Sequence, residues 1–220
     1  MEVGRMFRTI LALICCMISA AAVARSAVEK PAKTVYDYSL VGPDNKEVRL
    51  STFKGKVLVI VNLASQSVFH DQIAQLDEIQ KRYEDKGLVV IGIPCNDFGT
   101  QEPGTDTEIQ KKYNTDLHVT FSVFARASVR GKDQAALYEF LTSDKKGTTG
   151  GDVHWSYTKF IVDRAGKVVA RFEPHIAPNS PELQVTLEEV LAGKFKPPAK
   201  KAESEDDKKA ASNREEDSDR

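Results

Sequence analysis

Two apolar runs separated by a helical pattern constrain this fold more than any other part of the sequence. Residues 57–62 (VLVIVN) and 88–93 (LVVIGI) are almost unbroken apolar stretches, which is typical of strands covered on both faces. Between them, apolar residues recur at helical spacing from Phe69 to Tyr83, and Gly87 ends the pattern. A strand, a helix and a second strand this close together predict a right-handed βαβ unit with parallel strands.

The flanking segments predict two antiparallel hairpins and three further helices. The first hairpin comes from VYDYSLV and EVRL around the turn GPDNK, and the second comes from residues 157–162 and 168–172 around DRAG. The helices are expected near residues 107–113, at 134–141, and from Ser180 as N-cap to just before Gly193. This order predicts an α/β protein with a mixed central β-sheet flanked by helices, which is a thioredoxin-like fold.

The N-terminal segment has the pattern of an export signal. Arg5 and Arg8 precede a short apolar stretch, residues 9–21, and Ala22-Val23-Ala24 offers the small-x-small site that a signal peptidase cleaves. We therefore predict a signal peptide at residues 1–24 and an exported protein, periplasmic or secreted, that is free of the membrane after cleavage. The alternative is an uncleaved N-terminal membrane anchor.

The C-terminal segment, residues 197–220, contains no large apolar residue and carries six Lys or Arg and eight Asp or Glu. Such a segment cannot offset its ordering entropy by burial, so we predict a disordered, charged tail. Residues 25–196 remain as one domain of ordinary size.

Charge and cysteine counts exclude several classes of function. The formal net charge is only −1, which gives no basis for nucleic-acid binding. Cys15 and Cys16 fall in the predicted signal peptide, so the mature chain keeps only Cys95 and cannot form an internal disulfide. Four histidines without cysteine or histidine clusters predict no metal site, and no bound cofactor is indicated.

Several segments carry motifs that are more specific than hydrophobic periodicity. ASQSVFH follows the first predicted strand, IPCNDFGTQEPG follows the second, and WSYTKFIVDRAGKVVARFEP forms the second hairpin, with GKVLVIVN and LYEFL in the matching order. Across residues 35–174 the sequence resembles the glutathione peroxidase family of the thioredoxin-like superfamily. It lacks the long insertion before WSYTKF that tetrameric members carry, so it is similar to the short, usually monomeric type.

The resemblance implies thiol-dependent reduction of hydroperoxides in the response to oxidative stress, with glutathione or thioredoxin as reducing co-substrate. In the family, a cysteine or selenocysteine attacks the peroxide and becomes a sulfenic acid or its selenium counterpart, which a thiol then reduces. A glutamine, a tryptophan and an asparagine donate hydrogen bonds to that centre. By motif, the four positions are Ser67, Gln101, Trp155 and Ser156, so the nucleophile and the asparagine are both substituted.

The substitution at residue 67 decides the expected activity. A serine oxygen has no sulfenic state to pass through, so the protein is predicted to be a weak or inactive peroxidase, a possible pseudoenzyme. Residue 67 is expected to open the first βαβ helix, where free N–H groups would favour a thiolate in a Ser67→Cys variant. Tyr113 takes the place of the resolving cysteine found in some thioredoxin-dependent members.

Three alternatives remain open from the residues. Cys95, in the turn after the second strand, should share a sheet edge with Ser67 and could act as a one-Cys peroxidase nucleophile. The resemblance favours a packing thiol instead, since active members carry a cysteine in this turn as well as the nucleophile. His70 follows Ser67 by three residues, the spacing of a Ser–His pair on a helix, but no G-x-S-x-G turn accompanies it. The active-site hollow or the tail could also serve a non-catalytic binding or scaffold protein.

Overall fold

The computed structural model describes residues 33–42, 44–143 and 150–197 of the chain. The predicted signal peptide and the predicted tail after Pro197 lie outside these ranges, so they and the domain boundaries drawn from them stay predictions. None of the helices within the described ranges is long and apolar enough to cross a membrane.

The described residues form seven strands and four α-helices. The strands are β1 (Ser39–Val41), β2 (Glu47–Arg49), β3 (Val57–Leu63), β4 (Leu88–Pro94), β5 (Ser122–Val123), β6 (Lys159–Val162) and β7 (Val168–Phe172). The helices are α1 (Gln72–Tyr83), α2 (Asp106–Lys111), α3 (Ala136–Leu141) and α4 (Pro181–Leu191).

Five strands form the central sheet in the order β5-β4-β3-β6-β7, and β1 pairs with β2 as a separate antiparallel hairpin. β3 runs parallel to β4 along its whole length, from Val57 opposite Leu88 to Leu63 opposite Pro94. β6 is antiparallel to both β3 and β7. The parallel strand pair joined through a helix, the two hairpins and the mixed α/β architecture are thus confirmed.

β3 is buried on both faces because its alternate side chains enter two separate apolar clusters. Val57, Val59 and Val61 pack in a cluster that includes residues of α1 and α4. Leu58 and Ile60 pack in a second cluster with residues of α3 and the first hairpin. This two-sided burial explains the unbroken apolar run in the sequence.

Element boundaries differ from the predictions at several points. The helical pattern starts at Phe69 in the sequence, but α1 begins only at Gln72. α2 is followed by a π-helical turn, Lys112–Asp116, instead of continuing as an α-helix. β6 begins two residues late because Tyr157 has a φ of 70°, which a strand cannot adopt. The strand β5, with two residues, is too short to show a period and was not predicted.

Candidate active site

Ser67 lies in a series of tight turns between β3 and α1. The Ser67 N–H donates to the Ala64 carbonyl (3.1 Å), and the Ser67 carbonyl accepts from the His70 N–H (3.0 Å). These bonds span three residues, so the segment is not yet α-helical. The prediction that residue 67 opens the helix is therefore wrong, since α1 starts five residues later at Gln72.

The Ser67 side chain is enclosed, with 1% of the residue exposed. Its Oγ accepts a long hydrogen bond from the Phe69 N–H, at 3.4 Å. The position therefore offers an anion a single backbone donor within its own turn, which is weaker support than the first turn of a helix would provide.

A main-chain hydrogen bond holds Gln101 near the Ser67 turn. The Gln101 carbonyl accepts from the Gln66 N–H at 2.9 Å, which ties the loop after β4 to the residue before Ser67. The side-chain Oε1 of Gln101 is buried and has no hydrogen-bond partner among the described residues. Buried amide oxygens are normally bonded, so this atom is an unused hydrogen-bond acceptor of the site.

The Trp155–Ser156 segment is fixed to the end of β3 by its neighbours. The Asn62 amide donates to the Trp155 carbonyl (3.2 Å), and the Tyr157 hydroxyl donates to the Ala64 carbonyl (3.0 Å). The Tyr157 N–H also donates to the Asn62 carbonyl (2.7 Å) and helps to hold Tyr157 in its left-handed conformation. The structure thus gathers the three loops that carry Ser67, Gln101 and Trp155 at one edge of the sheet.

The two side chains of this segment differ in exposure. Trp155 is 38% exposed, and its ring packs at a tilt on Phe98 with 5.7 Å between the centroids. Ser156 is buried, and its Oγ has no hydrogen-bond partner within the described part of the chain. The site therefore combines a partly open aromatic wall with two buried, unpaired oxygen atoms, one from Gln101 and one from Ser156.

Glu102 is a structural centre of the site that the sequence interpretation missed. Its buried carboxylate accepts from the Ser65 N–H (2.8 Å), the Ser65 hydroxyl (2.7 Å) and the Tyr113 hydroxyl (2.6 Å). Its main chain exchanges two further bonds with the Asn96 side chain. A charged residue inside the otherwise polar and glycine-rich GTQEPG loop was the available signal.

Cys95 has the environment of a packing thiol. It is 1% exposed, and burial raises the pKa of its thiol to about 12, despite a hydrogen bond from the Asp97 N–H at 3.4 Å. It is the free cysteine of the described residues, and at neutral pH it is protonated and hence a poor nucleophile. Its N–H donates to the Leu63 carbonyl, so it does lie at the same sheet edge as the Ser67 turn.

His70 does not engage the Ser67 hydroxyl. Its Nδ1 lies 3.0 Å from the Ser67 carbonyl oxygen, and its Nε2 lies 3.1 Å from Oδ1 of Asp71. The ring therefore faces a carbonyl and a carboxylate, not a hydroxyl that it could deprotonate. Asp71 supplies a carboxylate that the sequence interpretation had not assigned to His70, but the Ser–His hydrolase pair is not formed. Across the described ranges, no group of three or more His, Cys, Asp or Glu is placed to hold a metal ion.

Comparisons with known proteins agree with the motifs. The glutathione peroxidase family model matches residues 35–142. A glutathione peroxidase from Lactococcus lactis subsp. cremoris is 39% identical over 150 residues, which cover 68% of this chain and 96% of that protein. A probable phospholipid hydroperoxide glutathione peroxidase from Nicotiana sylvestris is 40% identical over 161 residues, covering 73% and 95% of the two chains.

Solved structures agree as well. The crystal structure of Trgpx in apo form matches with a TM-score of 0.57 and 32% identity, over 73% of this chain and 97% of that one. GPX1 from T. cruzi matches with a TM-score of 0.56 and 26% identity, over 74% and 100%. A thioredoxin-family thiol:disulfide interchange protein from Chlorobium tepidum shares the fold, with a TM-score of 0.51. The chain therefore belongs to the glutathione peroxidase family of the thioredoxin-like superfamily.

Proposed function

We propose that this chain is a glutathione-peroxidase-family protein with weak or no activity in the family reaction, the reduction of hydroperoxides by a thiol. In that reaction a thiolate attacks one peroxide oxygen, the O–O bond breaks, the alcohol leaves, and the sulfur is oxidised to a sulfenic acid. The observation that carries the proposal is the absence of an available sulfur in the described site. Residue 67 is serine, and the nearby Cys95 thiol is buried with a pKa raised to about 12.

A hydroperoxide-reduction assay tests this proposal. Consumption of hydrogen peroxide and of a phospholipid hydroperoxide is measured with glutathione and, separately, with thioredoxin as reductant. We expect no saturable turnover with either donor. Any slow hydroperoxide consumption by the protein should disappear in Cys95→Ala. A Cys15→Ser/Cys16→Ser variant controls for the two N-terminal thiols. Saturable turnover that survives all three cysteine substitutions would contradict the proposal.

The one-Cys alternative, in which Cys95 is the nucleophile, receives little support from the site. A peroxidatic thiol must be both ionised and accessible, and Cys95 is neither. The same assay addresses it, since saturable turnover that is lost in Cys95→Ala would favour this alternative.

We also propose that the protein is exported after cleavage near Ala24 and acts as a monomer. The basic flank, short apolar stretch and small-x-small site support export. The similarity to the short type, without the insertion before Trp155, supports a monomer. N-terminal sequencing of the extracytoplasmic form and sedimentation analysis test the two statements. An intact Met1 in a membrane fraction would contradict cleavage, and a stable dimer would contradict the monomer.

A further inference from the structure

A groove of about 590 Å³ lies directly beside the Ser67 turn. Ser65 and His70, on either side of residue 67, line one part of it. The segment after the π-helical turn, with Leu117 and Val119, lines another part. The groove is therefore framed by the start of α1 and by the segment that follows Tyr113.

Four of the residues that line this groove are apolar. Ile73, Ala74, Leu117 and Val119 line it, and Leu117 is 46% exposed although leucine is usually buried. Val68, which lies in the sequence between the lining residues Ser65 and His70, is 78% exposed. Exposed apolar side chains grouped beside a concave surface are typical of interaction sites.

Three of the residues that line the groove are acidic, namely Asp71, Asp77 and Glu78. Burial raises the pKa of Asp77, but its hydrogen bonds to Lys81 and Thr120 outweigh burial, so the net pKa is lowered and the carboxylate is ionised near neutral pH. Asp71 is largely exposed, beside His70. Asp77 forms an ion pair with Lys81 (2.6 Å), and Lys112 donates to Ser65 (2.9 Å) on the same groove. Among the described residues, Asp71 and Glu78 are therefore the lining carboxylates without a lysine or arginine partner, and they give their side of the groove a negative character.

Parts of this chain itself are poor occupants of the groove. The tail, residues 197–220, has no large apolar side chain to contact the apolar lining, and its eight acids outnumber its six bases. Among the described residues, the most exposed large apolar side chain outside the Ser67 turn is Val185 on α4. Glu182, Glu188 and Glu189 lie on the same helix, so a second copy that docked through Val185 would meet like charge.

We propose that this groove docks a polypeptide segment of another protein in which a leucine-sized side chain is flanked by lysine or arginine residues. The apolar side chain enters the groove near Leu117, and the cations face Asp71 and Glu78. This binding function goes beyond the proposed weak peroxidase activity and does not depend on it, because it requires no thiol.

The test is fluorescence anisotropy with the full chain and a labelled peptide, Lys-Lys-Leu-Ala-Lys-Lys. We expect saturable binding with a Kd below about 1 mM, and affinity at least about tenfold lower for Lys-Lys-Ser-Ala-Lys-Lys and for Glu-Glu-Leu-Ala-Glu-Glu. Leu117→Ser and Glu78→Lys should each weaken binding of the first peptide by about tenfold. Their matched controls on α4, Val185→Ser and Glu182→Lys, should leave its Kd within about twofold.

Near-UV circular dichroism checks that each variant is folded. If Leu117→Ser does not fold, the exposed Glu78→Lys variant and the control peptides still decide the question. The proposal is overturned by absence of saturable binding, or by equal affinity for the cationic and anionic peptides. Competition by a synthetic peptide of residues 197–220 would assign the groove to the tail instead. A dimer in sedimentation that Leu117→Ser dissociates would assign it to a second copy. No peroxide is present in these measurements, so their outcome is separate from that of the peroxidase assay.

Discussion

The environment of residue 67 is closer to that of Cys95 than to that of a thiol at a helix N-terminus. Both residues are 1% exposed, and each side chain accepts a single backbone N–H at 3.4 Å. Burial raises the pKa of the Cys95 thiol to about 12, so similar burial should oppose a thiolate at position 67. A lower thiol pKa at position 67 than at Cys95 would therefore have to come from side-chain donors. The position of the family's asparagine donor holds Ser156.

The first prediction concerns Ser67→Cys. We expect the new thiol to have a pKa above that of free cysteine, about 8.5, because burial outweighs one long hydrogen bond. Ser67→Cys with Ser156→Asn should have a lower pKa and react faster with hydrogen peroxide, because the amide adds an N–H donor to the thiolate. Ultraviolet titration of the thiolate and the rate of thiol loss measure both effects. A single variant that titrates below the free-cysteine value would show that the turn alone stabilises the thiolate.

The second prediction compares the stability effect of removing the hydroxyl group from two buried tyrosines. The Tyr113 hydroxyl donates to Glu102 at 2.6 Å, whereas the Tyr138 hydroxyl has no hydrogen-bond partner among the described residues. Tyr113→Phe should lower the free energy of unfolding by about 1–3 kcal/mol, because it leaves a buried carboxylate with one donor fewer. Tyr138→Phe should leave it unchanged or raise it by up to about 1 kcal/mol. Urea unfolding measures both, and an equal loss in the two variants would contradict the assignment.

The motif-matching residues could be located in the sequence, but the contacts that support them could not. Ser67, Gln101, Trp155 and Ser156 stand in segments whose letters are specific. Asn62 and Glu102 hold those segments through bonds to Trp155 and Ser65, across 93 and 37 positions of the chain. Such contacts follow no periodicity, so they become visible only once the chain is folded.

At the scale of elements, the turn between β6 and β7 carries a residue that ties separate chain segments together. The Arg164 guanidinium donates to the carbonyls of Gly55 (2.8 Å), Lys86 (2.9 Å) and Leu191 (3.3 Å). Lys86 lies just beyond α1, and Leu191 is the last residue of α4. The guanidinium charge therefore lies near C-terminal helix carbonyls that lack intrahelical hydrogen-bond donors.

The third prediction concerns the hydrogen bonds of the Arg164 guanidinium. Arg164→Ala should lower the free energy of unfolding by about 1–2 kcal/mol and speed amide exchange near the ends of α1 and α4. Arg164→Lys should recover only part of the loss, since one ammonium group does not reproduce the planar guanidinium fork. Arg49→Ala, at an exposed position in β2, is the control and should change stability by less than about 0.5 kcal/mol. Full recovery by lysine would mean that charge alone explains the effect.

Helices and strands were predictable in position where the sequence carries a long apolar pattern or a clear start signal. β3, β4 and α4 fall close to their predicted positions because apolar runs and the Ser180-Pro181 start are local signals. The start of α1 and the start of β6 were not predictable in this way. Successive three-residue turns delay α1, and Tyr157 is held in a left-handed conformation by bonds to Asn62 and Ala64, which are distant in sequence.

At the scale of the whole molecule, a lysine lies inside the core that the sheet forms with α1 and α4. Lys159, in β6, is 0% exposed, and its Nζ donates to the Gln72 side chain at 2.8 Å. The Gln72 amide in turn donates to the Pro174 carbonyl, so the pair links the start of α1 to the chain after β7. Burial lowers the pKa of Lys159 to about 7, although the charge of Glu173 acts in the opposite direction.

This lowered pKa makes stability depend on pH in a defined direction. In the unfolded chain the lysine titrates near its ordinary value of 10.5, while in the folded protein it titrates near 7. Between these values the unfolded state binds more protons, so the free energy of unfolding should rise with pH through this window. Below about pH 7 the amine is protonated in both states, and the whole cost of burying its charge remains.

Lys159→Met therefore gives the last prediction. Methionine keeps most of the side-chain volume without a titrating group, so the variant should be more stable than the parent at pH 6. The advantage should shrink as the pH rises to 9, by at most about 1.4 kcal/mol per pH unit for one proton. At that pH the parent amine is neutral and keeps its hydrogen bond to Gln72, which methionine cannot replace. Denaturant unfolding at four pH values compares the parent, Lys159→Met and the exposed-lysine control Lys167→Met. If Lys159→Met keeps the same rise between pH 6 and 9 as the parent and the control, another group causes it and the buried ammonium is not the source.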